Sequence, residues 1–131
     1  MWSVDYRYIE QWLDVQDRET VKDVFAAFEL LEREGPNLGR PLVDTLAGTT
    51  VSNLKELRPA SPGRSEVRIL VAFDPRREAI MLLAGDKAKG VRGEARWSRW
   101  YKKAIPEAER VFEEHMRMLK REERDGSASV S

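Results

Sequence analysis

Two apolar runs, Glu66 to Phe73 and Ala79 to Ala84, flank Asp74-Pro75-Arg76-Arg77, and this arrangement predicts an antiparallel hairpin. Proline suits a turn, and the aspartate side chain can accept hydrogen bonds from the backbone groups that follow. Along the first run Val67, Ile69, Val71 and Phe73 form one face, while Arg68, Leu70 and Ala72 form the other. The second run, Ile80-Met81-Leu82-Leu83-Ala84, is apolar without alternation, as expected of a central strand covered on both sides.

The remaining elements fit around that hairpin. Trp2, Val4, Tyr6 and Tyr8 alternate with polar residues and predict a first strand. From Asp17 to Glu34, Val21, Val24, Phe25, Phe28 and Leu31 recur at helical spacing, with Asp17 as cap and Gly35-Pro36 as stop. Leu42 to Leu46 reads equally as short helix or strand, and Val51 to Arg58 is another strand candidate. Asp86 to Arg96, rich in glycine and lysine, reads as a solvated loop. Pro106 suits the first turn of a last helix, in which Ala108, Phe112, Met116 and Leu119 keep helical spacing to about residue 121. The expectation is an α+β domain over residues 1–124, a mainly antiparallel sheet of about four strands with helices on one face, followed by a disordered tail at 125–131.

Composition narrows the chemistry. The 131 residues include one histidine and no cysteine, so disulfides and thiolate chemistry are absent and a metal site is not expected. His115 itself is expected at a half-exposed helix surface. There is no Gly-x-Ser-x-Gly segment and no glycine-rich phosphate motif, which argues against acyl transfer and nucleotide-dependent phosphoryl transfer. The charged start and the absence of an apolar run near the ~18 residues of a membrane span predict a soluble, cytoplasmic protein.

The formal charge is zero, but it is unevenly placed. Residues 1–47 hold five basic and ten acidic side chains, 48–103 hold thirteen and six, and 104–131 hold five and seven. A basic middle third between acidic flanks points to a polyanion partner. Lys55, Arg58, Arg64, Arg68, Lys87 and Lys89 are spread over successive strands and the following loop, where a sheet would gather side chains about 5 Å apart. Arg68 stands within an otherwise apolar strand, so it either pairs with a carboxylate, Glu56 or Glu66, or receives an anionic ligand.

Four blocks carry a resemblance. Asn53-Leu-Lys-Glu-Leu-Arg-Pro59, Gly63-Arg-Ser-Glu-Val-Arg-Ile-Leu-Val-Ala-Phe-Asp-Pro75, Ala79-Ile-Met-Leu-Leu-Ala-Gly-Asp-Lys87, and Trp100-Tyr101 with Ile105-Pro106 resemble, in this order, the HigB-like branch of the RelE/ParE toxins. The likeness covers roughly residues 40 to 115 and implies a RelE-like fold. It also implies a metal-independent and cofactor-free endoribonuclease that cleaves mRNA, largely on the ribosome, and is neutralised by a helix-turn-helix (HigA-like) antitoxin. In such chemistry the 2′-hydroxyl attacks the adjacent phosphate, so the enzyme positions the strand, stabilises charge and moves protons.

By this resemblance Arg68 stabilises the phosphate, Lys55 and Lys87 are candidates for proton transfer or charge stabilisation, and Tyr101 exchanges a proton or stacks on a base. Arg58, Arg64, Lys89 and Trp100 are expected to contact RNA, although Trp100 and Tyr101 equally suit anchoring of the last helix. The chain lacks the histidine that certain relatives carry near Lys55 or Lys87, which leaves the acid–base pair open. The same fold also serves ParE-like poisons of DNA gyrase, and a basic face can act as a non-enzymatic nucleic-acid module.

Overall fold

The computed structural model describes residues 2–46, 54–60, 66–86 and 94–130. Strand β1 (Ser3–Asp5) leads through a 3-10 turn (Arg7–Ile9) into the short helix α1 (Glu10–Asp14) and then the long helix α2 (Arg18–Glu34). The expected first strand therefore ends at Asp5, before Tyr6 and Tyr8. Strands β2 (Val43–Thr45), β3 (Lys55–Leu57), β4 (Val67–Phe73) and β5 (Glu78–Asp86) follow, and helix α3 (Glu94–Val130) ends the chain.

Local chemistry explains the best-defined elements. Asp17 caps α2 by accepting from the Thr20 N–H at 2.7 Å. Gly35 stops the helix at φ 57°, and a Cβ there would lie 2.3 Å from the Trp2 ring, so only glycine fits. In the β4–β5 turn, Asp74 Oδ1 accepts from the Arg76 and Glu78 N–H groups at 2.9 and 3.0 Å, as its place beside Pro75 predicts.

The sheet has five strands in the order β1-β5-β4-β3-β2, with β1 parallel to β5 and every other pair antiparallel. The α+β class and the mainly antiparallel sheet are as the sequence predicts. The fifth strand comes from the ambiguous segment, which pairs as β2 along β3.

Placing the helices on one face requires correction. Helix α2 packs Val24, Ala27, Phe28 and Leu31 against Val67, Ile69, Val71 and Met81. Helix α3 packs Ala104 and Ala108 against Leu70, Ala72, Ile80 and Leu82 on the other face. Both faces of the central strands are apolar, so each face needs a cover. A register shift at Leu70/Val71 adds to this, since Leu82 and Leu83 both pack on the α3 side.

Helix α3 differs from expectation at both ends. It begins at Glu94, inside the segment read as loop, and Pro106 lies in its interior. Proline deprives the Lys102 carbonyl of its helical donor, a loss tolerated where Lys102 and Pro106 are both exposed. The helix also runs through the segment expected as a tail, as far as Val130. Residues 121–126 are all exposed there, so helix continuity rather than packing carries that stretch.

Candidate functional site

Alternation along β3 turns successive side chains to opposite faces. Leu57 points to α2 with the core on that side, and Glu56 points to α3. Glu56 is fully buried, an expensive position for a carboxylate unless it is paired. Three side chains supply that pairing. Arg58 Nε donates to Glu56 Oε1 at 2.7 Å, Arg68 Nε lies 3.7 Å from the same oxygen, and Tyr101 Oη donates to Oε2.

The register explains the convergence. Glu56 faces Leu70 across the β3–β4 ladder, which makes Arg68 its diagonal neighbour on the same sheet face. Arg68 is held further by Nη1 donating to the Val67 carbonyl at 2.9 Å. Arg58 reaches a second carboxylate, Asp44 of β2, at 3.4 Å. Helix α3 brings Tyr101 over the group from above.

Trp100 sets the height of that helix. Its ring lies so close over Gly85 that a Cβ there would be 2.8 Å from the indole, and it meets Tyr101 edge-on at 5.0 Å. Glycine at position 85 is thus required for the close approach of α3 to β5.

Electrostatics follow from this packing. Burial, then the hydrogen bond to Glu56, push the Tyr101 hydroxyl above the usual tyrosine range, while Arg68 and Arg58 pull it down less strongly. Tyr101 therefore holds its proton more tightly than an ordinary tyrosine, and that proton is the one it donates to Glu56. The Glu56 hydrogen bond raises the Arg58 pKa, which keeps that guanidinium charged. The Arg58 and Arg68 side chains remain 39% and 20% exposed, so their outer edges can meet a solvent-borne anion.

Of the residues singled out in the sequence, Arg58, Arg68, Trp100 and Tyr101 come together on this face. Lys55 does not. It lies on the α2 side, where Nζ donates to the Pro36 carbonyl at 2.8 Å and sits 5.9 Å from the Phe73 ring centroid. Arg64, Lys87 and Lys89 lie outside the described residues. Arg68 lies within ion-pair distance of Glu56, one of the two carboxylates offered for it, and stays part-exposed.

His115 is also corrected. It is 1% exposed, donates from Nε2 to Asp74 Oδ2 at 2.9 Å and pairs Nδ1 with the Tyr8 hydroxyl at 2.8 Å. It pins α3 to the β4–β5 turn and to the segment after β1. The signal lay in the spacing Ala108, His115, Leu119, which continues the buried stripe of α3. Among the described residues, no three His, Asp or Glu side chains cluster as a metal would require.

The profile of the family described as "Phage derived protein Gp49-like" matches residues 11–113. A Mycobacterium tuberculosis protein that carries the toxin name HigB2 is 56% identical over 115 residues, which is 88% of this chain and 54% of that protein. Another from the same organism, carrying the toxin name HigB3, is 47% identical over 105 residues, 80% of this chain and 84% of that protein. The chain thus spans about half the length of the HigB2 relative. With the profile covering strands β2 to β5 and the part of α3 that bears Trp100 and Tyr101, the chain belongs to the phage-derived Gp49-like family, the HigB-like group that its four sequence blocks resemble.

Proposed function

We propose that this chain is the toxin of a type II toxin–antitoxin pair and that it cleaves mRNA on the ribosome as a metal-independent endoribonuclease. The carrying observation is the gathering of Arg58, Arg68 and Tyr101 around the buried Glu56, with both guanidinium groups part-exposed. The family and the toxin names of its relatives support the toxin role.

In the proposed reaction the RNA 2′-oxygen attacks the adjacent phosphorus while the bond to the 5′-oxygen breaks. A proton leaves the 2′-hydroxyl and one reaches the departing 5′-oxygen, leaving a 2′,3′-cyclic phosphate and a 5′-hydroxyl. Arg68, assisted by Arg58, stabilises charge on the phosphate oxygens through its planar fork. Tyr101 is the candidate donor to the leaving oxygen, for which its hydroxyl hydrogen turns from Glu56 to the substrate. Lys55 loses its geometric support as a proton carrier at this site because it sits across the sheet. Arg64 and Lys89, which in sequence flank the β4–β5 hairpin, retain the proposed role of RNA contacts, Lys87 that of proton transfer or charge stabilisation, and Trp100 that of an aromatic RNA contact.

The test is expression in bacteria with and without the product of the adjacent gene, proposed to be a helix-turn-helix antitoxin, while transcripts are mapped. The reading expects growth arrest with cut mRNA, relieved by the antitoxin. Intact transcripts with accumulated cleaved DNA would point instead to gyrase poisoning. Normal growth with folded, unneutralised protein would sink the toxin reading altogether.

A further inference from the structure

On the α2 side of the sheet, away from Glu56, the chain forms a groove of about 440 Å³ between α1 and α2, with Tyr6 at its edge. Tyr6, Leu13, Val21 and Phe25 line it as apolar surface, and Glu10 and Asp14 add carboxylates. Both acidic residues are exposed. A neighbouring hollow of about 430 Å³ shares Tyr6 and Glu10 and adds Asp5 and Glu78. Its one cation, Arg7, is already paired with Asp5 at 2.8 Å.

Two features set this groove apart from ordinary surface. Phe25, expected in the core by its spacing, is 37% exposed, and its ring is held edge-on to Tyr6 and Phe28, each at 5.3 Å. An aromatic fixed in this way loses little side-chain freedom when covered. Gln16, also in the lining, donates from Nε2 to the Trp12 carbonyl at 3.0 Å, while its Oε1 is buried without a hydrogen-bond partner. Val15, 74% exposed, adds apolar surface next to Gln16 in sequence.

We infer that this groove docks a basic segment of a protein partner, one that carries a bulky apolar side chain to cover Phe25 and lysine or arginine to meet Glu10 and Asp14. Charge selects the occupant. The acidic rim lies in the portion of the chain with ten acidic and five basic residues, which repels RNA and attracts a cationic peptide. Identifying the partner as the antitoxin rests on the toxin reading above, whereas the chemistry of the groove does not. Because the groove and the Arg58–Arg68 face are on opposite sides of the sheet, docking here leaves the latter uncovered.

The probe is a short amphipathic helical peptide of lysine and leucine, titrated calorimetrically into the purified chain beside a matched peptide of glutamate and leucine. The lysine peptide should bind and the glutamate peptide should not. The double variant Glu10→Lys/Asp14→Lys, and separately Phe25→Ser, should each weaken binding about tenfold or more. Glu113→Lys/Glu123→Lys, the same charge change on exposed sites of α3, should leave binding within about threefold. Equal losses in both double variants would reduce the effect to overall charge and overturn the inference, as would equal binding of the two peptides. Thermal melting confirms that each variant is folded, and Phe25→Ala replaces Phe25→Ser if the latter is not. RNA cleavage is measured separately, so failure of the nuclease reading leaves this titration unaffected.

Discussion

Tyr101 of α3 donates its phenolic hydrogen bond to Glu56 of β3, a side chain with no exposure to solvent. That bond joins the last helix to the carboxylate that also holds Arg58 and Arg68. It ties the position of α3 to the presentation of the two guanidinium groups.

The raised Tyr101 pKa gives a signed prediction. An unfolded tyrosine begins to ionise near its reference value of 10.0, while the folded one keeps its proton to higher pH. Above that value the native state binds more protons than the unfolded state, so stability falls as pH rises. Denaturant melts should show a decline beginning near pH ~10, and Tyr101→Phe should flatten it. Tyr8, also raised chiefly by burial, should account for a further part of the slope. At neutral pH Tyr101→Phe should lower RNA cleavage about 100-fold, the range for loss of a general acid.

Gly85 offers a test of helix placement. The Cβ of Gly85→Ala would collide with Trp100, so α3 must shift or the ring must turn. A destabilisation of about 1–3 kcal/mol is expected, as for overpacking generally. Cleavage should fall as well, because Tyr101 follows Trp100 directly. Unchanged melting and unchanged activity would show that the contact constrains nothing.

His115 should matter for stability and not for chemistry. His115→Ala removes a buried ring and strands Asp74 and Tyr8, with an expected cost of about 2–4 kcal/mol. Chemical denaturation measures the cost, and the folded protein should still cut RNA. Loss of cleavage at full stability would give the histidine a different role.

What the sequence made legible was local. The hairpin around Asp74-Pro75 and the capped helix after Asp17 are written in neighbouring residues, and both form. Strand β3 was harder to read. Leu54 and Leu57 fall on opposite faces, so alternation cannot tell whether Lys55 or Glu56 belongs to the site. Only the pairing with β4 decides it, and that pairing is a long-range property. For α3 the expected stripe holds at Ala108 and Leu119, both buried, and Phe112 packs part-buried against the same core, but apolarity alone passes over His115. The buried line Ala104, Ala108, His115 and Leu119 includes a histidine because two partners from distant segments satisfy its ring. Pro106 misled for a similar reason, since an exposed helix interior tolerates what a buried one would not.

In the proposed reaction Arg68 acts on RNA and does not serve only as a counter-charge for Glu56. The direct measurement compares Arg68→Ala with the unaltered chain in cleavage of ribosome-bound mRNA and in denaturant stability, side by side. If Arg68 stabilises the phosphate, a loss of cleavage of about 100-fold or more is expected. A stability loss below about 2 kcal/mol is also expected, because Arg58 still neutralises Glu56 and Tyr101 still bonds to it. Cleavage retained in the folded variant, or lost only in step with unfolding, would contradict that role of Arg68.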